Sequence, residues 1–490
     1  MNKLNFIAYS VIAWLVIACS STKFGYTARG KLPNSLPTNT NIASQNNFIE
    51  SSQPKQIAAL KNSVYGLFFK QGIFAGQDKL GSADFKYQRW QVPLVMGGMI
   101  NVDQNYLGQF HDFLPDLAEQ NNLNYANYSK LLDTIYRVNN WNTFTLQEQK
   151  KLCKSTMHCL YIDDRLWWVN AFLSYAEGLA TNNPQDPNLA KMLDYAYNIF
   201  VNGITRDEYI NEIGTPDAKS VMWSDSIEQP ATYKSTISNS LYVTAGARLA
   251  KLIKFQYGEN NPKYNYTKVL HDTQLVADGY FLKYFRQIES DGLLMDGITT
   301  TGLSTKTPQT GTIIKHVFTY NQGVILPGMA ILTQLTEENK YLQFAKNLIQ
   351  ASYENSLQHN NFWDDYNYIL PNGWFPDGDG IAFRLAYWQY FSIFLENYNL
   401  DSDDNFRQII NNFVTNNAQQ IVVRDVNLTS YAMPSNIETA MSPNHNNITT
   451  LPQGKPYTNY PDGYSLPGTA AALELLTLQQ RLQNYSSQTK

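Results

Sequence analysis

The 490-residue sequence predicts an all-α fold, an (α/α)6 barrel of about twelve antiparallel helices. Two observations predict it. About twelve stretches carry apolar residues at helical spacing, and none shows sustained strand alternation. The links between these stretches alternate short with long, and antiparallel helix hairpins in succession place such long links together on one face.

In chain order the first helical stretches lie near residues 53–72, 84–106 and 125–138. The long segment 139–162 leads into 163–181, which the short link 182–186 joins to 187–202. Segment 203–233 feeds 234–256, followed by 266–286, and segment 287–318 feeds 319–336, which turns at 337 into 338–355. Segment 356–378 feeds 379–397, linked through 398–401 to 402–422, and segment 423–465 feeds the last stretch, 466–485. Each long segment thus enters the fourth, sixth, eighth, tenth or twelfth helix at its N-terminal end. Residues far apart in sequence converge there on one rim, the place where a rigid scaffold carries its binding groups.

The unusual motifs sit on that rim. Asp163 and Asp164 open the fourth helix in YIDDRLWW, with Trp167 and Trp168 close behind. Two carboxylates beside aromatic faces are the minimal equipment of a glycosidase, one to protonate a leaving sugar oxygen and one to attack or stabilise the anomeric carbon. The Asp-Asp dipeptide recurs at Asp364-Asp365 and Asp403-Asp404, so its surroundings must discriminate. FWDDYNY, with Asp364 and Asp365, lies on the same rim and is the nearest rival within the enzyme class. An aspartate at a helix start also has a plain explanation as an N-cap favoured by the macrodipole. Trp167 and Trp168 cannot face the same way on a helix, so one is expected in the core and the other, taken as Trp168, along the cleft.

Tyr233 and Lys234 open the sixth helix, Tyr320-Asn321-Gln322-Gly323 the eighth and Asp377-Gly378-Asp379-Gly380 the tenth. Arg384 lies in the otherwise apolar run IAFRLAYW, where an unpaired charge is costly to bury, so a carboxylate partner is expected. Trp168, Tyr233, Lys234, Asn321, Gln322 and Arg384 are the expected substrate-binding set. The bland alternatives are helix-start residues for Asn321 and Gln322 and a solvated surface charge for Lys234.

The N-terminus places the protein. Lys3 precedes an apolar run over 4–18 that is too short for a permanent span and has the layout of a secretory signal. Val16-Ile17-Ala18-Cys19 resembles a bacterial lipobox, in which cleavage leaves the cysteine acylated and the protein held to a membrane by lipid. The expected division is a lipoprotein signal peptide at 1–18, a flexible tether at 19–52 rich in Ser, Thr, Asn, Gln and Pro, and a catalytic domain at 53–490. Ser20 offers no acidic retention cue, so outer-membrane sorting is expected. Cys153 and Cys159 either close a small loop as a disulfide or remain two buried thiols.

A net charge of -4 with no basic block argues against nucleic-acid binding. The 33 Tyr and 9 Trp suit sugar stacking, although such residues more often fill cores. His158 between the two cysteines lacks a second ligand pair, so no metal is expected.

Four motifs in order, DDRLWW, the segment 222–249 (MWSDSIEQPATYKSTISNSLYVTAGARL), TYNQGVILPGMAIL at 319–332 and GIAFRLAYW at 380–388, resemble glycoside hydrolase family 76 over roughly residues 84–485. The resemblance implies an α/α barrel that hydrolyses α-1,6-linked mannan internally with retention, with Asp163 as nucleophile and Asp164 as general acid/base. It implies no cofactor, a mannan-like polysaccharide or oligosaccharide as partner and a monomer. Related fungal proteins suggest transglycosylation on the same scaffold, and a non-catalytic glycan-binding surface lipoprotein is the alternative from another class. One departure stands out: Ser235 occupies a position where the family commonly has Asn.

Overall fold

The structure, a computed structural model, describes residues 52–64, 69–70, 73–74, 90–102, 161–204, 210–212, 219–223, 233–284, 292–299, 312–358, 378–400, 403–420 and 466–488. Along these the chain runs α1 (Gln53–Ser63), β1 (Phe69–Lys70), β2 (Ile73–Phe74), α2 (Gln91–Val102), α3 (Ile162–Asn182), α4 (Pro187–Asn198), β3 (Ile210–Glu212), β4 (Lys219–Val221) and β5 (Tyr233–Ser235). It continues through α5 (Thr236–Tyr257), α6 (Tyr266–Val276), β6 (Gly297–Thr299), β7 (Thr312–Ile314), α7 (Thr319–Gly323), α8 (Leu326–Thr336), α9 (Asn339–Gln358), α10 (Gly378–Glu396), α11 (Asp404–Gln420) and α12 (Leu466–Gln488). Cys19, Cys153, Cys159, Asp364, Asp365 and the expected helix at 125–138 lie outside the described residues.

Helices α2, α3, α5, α8, α10 and α12 each pack on the next, and α12 returns onto α2 to close an inner ring. Around it, α4 lies on α3, α6 on α5, α9 on α8, and both α11 and α1 on α12. The layout is the (α/α)6 barrel that the spacing of helices and links predicts. Burial explains the division of labour: α5 buries every residue from Thr236 to Ala250, as a helix surrounded on all sides must.

The short links are built from local turn chemistry. Between α3 and α4, the Asp186 side chain accepts from Asn188 N at 2.9 Å as an N-cap, and Pro187 begins the new helix. Between α8 and α9, Glu337 takes a left-handed conformation at φ 61° and ends α8, its N–H bonding Thr333 O at 2.8 Å.

The differences from the sequence expectation have physical causes. The stretch 319–336 is two helices, because Pro327 has no N–H to offer the carbonyl of Gly323 four residues earlier. Tyr233 and Lys234 precede the helix and form β5, which pairs antiparallel with β6 as β6 pairs with β7. Strands of two or three residues are too short to leave an alternation in sequence. The expected helices 187–202 and 266–286 are α4 and α6 extended by π-helical turns at Ile199–Ile204 and Ala277–Tyr284.

Two amides tie the rim segments to the barrel. Asn239 of α5 accepts from Val221 N at 2.7 Å and donates to Val221 O at 3.0 Å. Gln322 of α7 does the same for Leu294, accepting from its N at 2.7 Å and donating to its O at 2.8 Å. Each side chain stands in for a neighbouring strand.

Polar groups also occupy the barrel interior. Glu474 of α12 is 2% exposed and faces the backbone of α2, where a Cβ on Gly98 would stand 3.1 Å from its Oε1. Burial pushes its carboxyl up to about 8, with Arg481 opposing the rise and Glu396 adding to it. The unfolded chain releases that proton near the ordinary value of 4.5, so the folded state binds more protons between about 4.5 and 8 and stability falls as pH rises across that window. Glu474→Gln keeps the shape without the charge. The variant is expected to flatten the slope and gain on the order of 2 kcal/mol at pH 8, read as urea midpoints of both proteins between pH 5 and 9.

Candidate active site

Asp163 and Asp164 occupy the first turn of α3. The N-cap position belongs to Tyr161, whose side chain makes no capping bond, so neither aspartate is the cap; their charges still meet the favourable end of the helix dipole. Asp163 is half-buried, and both its carboxylate oxygens are held: Oδ1 accepts from Asp164 N at 3.1 Å and Oδ2 from Trp223 Nε1 at 3.1 Å. Asp164 is buried at 6% exposure.

Trp223 is fixed by the segment that follows β4. Its N–H donates to Tyr233 O at 2.9 Å, and its carbonyl accepts from Ile162 N at 2.8 Å, so the residue bridges β5 and the start of α3. The indole lies 4.6 Å from the Tyr161 ring and edge-on to Tyr233 at 5.8 Å.

A third carboxylate, Asp296, stands just before β6. Its side chain accepts from the Tyr233 hydroxyl and, at 3.3 Å, from Asn321 Nδ2. Burial pushes Asp163 up to about 7, against the Trp223 and Asp164 hydrogen bonds and with the charge of Asp296 adding to the rise. Asp296 is itself raised by burial, with Tyr233, Asn321 and the nearby His316 opposing. Lys234, buried at 3% exposure on β5, has its ammonium pushed down to about 8 by the same loss of solvent.

Aromatic rings line the site. Trp167 lies one turn below Asp163 on the same face of α3 and meets Trp90 at 5.4 Å. Trp90 meets Phe383 of α10 at 5.7 Å, and Phe383 stacks on Tyr320 of α7 at 3.8 Å and 23°. Trp90, Tyr320 and Phe383 are each half-buried, so part of each ring remains open to solvent.

The expected substrate residues divide on this geometry. Tyr233 and Asn321 come together on Asp296. Lys234 lies next to Tyr233, and Arg384 is buried one residue beyond Phe383. Trp168 is buried at 5% exposure and packs on Phe172 at 5.9 Å, whose ring meets Tyr195 of the outer helix α4; it lies one turn on from Asp164, as Trp167 does from Asp163. Gln322 also differs. It is fully buried with its amide bonded to Leu294 and to Phe318 O at 2.9 Å, so it holds the rim together from behind. Ser235, the departure from the family pattern, is the N-cap of α5 and accepts from Ser238 N at 3.2 Å. Among the described residues no group of three or more His, Cys, Asp or Glu side chains is arranged to hold a metal ion.

The family model for glycosyl hydrolase family 76 matches residues 78–427. No curated protein matches the chain. Among solved structures, an inactive variant of the α-1,6-mannanase GH76A of Salegentibacter sp. HEL1_6 in complex with α-1,6-mannotriose is similar with a TM-score of 0.53 at 15% identity, over 88% of this chain and 100% of that one. A family 76 mannosidase from Bacteroides thetaiotaomicron VPI-5482 gives 0.52 at 13% identity, over 89% and 99%. Dfg5 from Chaetomium thermophilum in complex with glucosamine gives 0.54 at 15% identity, over 89% and 92%. At these identities the likeness is one of fold.

Proposed function

The chain belongs to glycosyl hydrolase family 76, and from that premise we propose that it is an α-1,6-mannanase acting internally and with retention, Asp163 being the nucleophile and Asp164 the general acid/base. The observation that carries the reading is the adjacent aspartate pair at the head of an inner helix, one member gripped by Trp223 and walled by aromatic rings. With a mannoside across the rim, a carboxylate oxygen of Asp163 attacks the anomeric carbon, the glycosidic C–O bond breaks and the proton of Asp164 passes to the leaving oxygen. In the second half, water attacks the same carbon, gives its proton to Asp164 and releases Asp163. Two inversions return the starting configuration. The half-open faces of Trp90, Tyr320 and Phe383 suit the apolar faces of pyranose rings.

Incubation of residues 53–490 with defined α-1,6-mannosides tests this, reading product length and anomeric configuration. Mixed internal products of retained configuration are expected; release of single sugars only, or inversion, would overturn it.

The nucleophile must be ionised to attack, and kcat/KM reports the groups of the free enzyme. Asp163 lies at about 7, so kcat/KM is expected to rise with pH through about 7 on its acid limb, measured as a pH–rate profile.

The lipobox-like Val16–Cys19 supports export and attachment to a membrane by lipid, and the polar run to residue 52 supports a tether. Radiolabelled fatty acid incorporation, lost in Cys19→Ala, tests the anchor.

A further inference from the structure

We propose that Asp296 is a positioning residue of the reaction, holding Tyr233 and Asn321 in register with the aspartate pair and presenting a third negative charge to Asp163. It rests on the glycosidase reading for its catalytic meaning and on geometry for its placement. Asp296 joins three rim segments that are distant in sequence. Its carbonyl accepts from Thr236 N at 2.7 Å and from the Tyr233 hydroxyl at 3.1 Å, and its N–H donates to Ile314 O at 3.2 Å. Its carboxylate takes the Tyr233 hydroxyl again and Asn321 Nδ2. The next residue has to be glycine for this approach, since a Cβ at Gly297 would meet Lys234 O at 2.5 Å and Ser235 Cα at 2.9 Å.

The carboxylate accepts on both oxygens, Oδ2 from the Tyr233 hydroxyl and Oδ1 from Asn321 Nδ2, which an amide with one acceptor and one donor position cannot do. A charge retained beside a second carboxylate has an electrostatic effect that an amide lacks. Around Asp163 and Asp296 stand Asp164 on α3, Tyr233 on β5, His316 beyond β7 and Tyr320 on α7, with Tyr280 near Tyr233 and its hydroxyl on Lys234 O at 3.0 Å. Asp296 adds to the repulsion that keeps Asp163 from ionising early, and Tyr233 and Asn321 favour the charged form of Asp296. Removing the charge therefore lets Asp163 ionise at lower pH.

Trp223 gives a readout that needs no substrate, because its indole N–H is bonded to the carboxylate in question. The pH-dependent part of tryptophan emission that disappears in both Trp223→Phe and Asp163→Asn reports ionisation of Asp163 in the full chain. In Asp296→Asn its midpoint is expected to fall, by less than the rise that burial imposes, and the acid limb of kcat/KM on α-1,6-mannan to move down with it, while kcat drops about tenfold. Should that variant fail to fold by circular dichroism, Tyr233→Phe carries the same test: loss of the donor makes Asp296 easier to protonate, and a smaller fall of the same sign is expected. An unmoved midpoint in the folded variant, or no Trp223-dependent transition in the wild type, overturns the proposal. If the wild type cleaves no mannoside, the glycosidase reading fails, and the emission midpoint still decides whether Asp296 acts on Asp163.

Discussion

Asp163→Asn is expected to lower turnover of α-1,6-mannan by roughly a thousandfold or more, because an amide cannot form the glycosyl-enzyme. The substitution is nearly isosteric, and the amide oxygen still accepts from Trp223 Nε1 at the loss of the bond from Asp164 N, so the fold should persist with an unchanged circular dichroism spectrum. Asp164→Asn is expected to fall as far on mannan, yet to respond differently to the leaving group. An aryl mannoside with an acidic phenol departs without a proton, so the first half-reaction survives in Asp164→Asn and the glycosyl-enzyme accumulates, visible as a burst of phenol and as an added mass on the intact protein. Asp163→Asn should show neither. Equal rescue of both variants would overturn the division of roles, and full mannanase activity in both would remove the pair from the chemistry altogether.

The second large effect concerns stability. Arg248 of α5 is 1% exposed and spends its guanidinium entirely on α3: Nε and Nη2 reach Glu177 at 3.1 and 2.6 Å, Nη2 also reaches Ser174 Oγ at 2.8 Å, and Nη1 reaches Asn170 Oδ1 at 3.1 Å and O at 3.2 Å. Residues 170, 174 and 177 share one face of α3, so the fork bridges two neighbouring inner helices. Arg248→Met is expected to cost about 3 kcal/mol, the low end for breaking a buried pair, because Glu177 retains 34% exposure and is partly rehydrated. Arg248→Lys should recover little of it, since a point charge with three donors cannot reproduce the planar fork. Urea unfolding of the three proteins measures both; a lysine variant as stable as wild type would show that charge alone matters here.

The sequence carried the barrel well because its inner and outer helices are long and its connections alternate in length. The aspartate pair was legible for the same reason, being placed at the head of α3 by the segment before it. Trp167 was legible in principle, since the residue four positions on from Asp163 shares its face, just as Trp168 shares that of Asp164. Arg248 had a signal too, a lone cation in a run of small and apolar residues, the same cue that drew attention to Arg384. Asp296 had none. Its partners Tyr233 and Asn321 lie 63 and 25 positions away, and nothing in DGLLMDGITT distinguishes one loop aspartate from another. The small sheet was hidden likewise, its three short strands being paired across loops far apart in sequence.

The return of α12 onto α2 has a consequence for biogenesis. The flank of α2 away from α3 stays uncovered until a helix more than 360 positions later has been synthesised, and Gln53 of α1 waits for the same helix, bonding Leu476 O at 3.1 Å and Gln479 Oε1 at 2.6 Å. Until then the growing chain is an open crescent whose apolar edges are uncovered, and such edges invite chaperones while the chain is unfinished. The final helix works as the latch of the molecule: a stop codon before residue 466 is expected to leave an aggregation-prone protein even though every aspartate of the rim has already been translated.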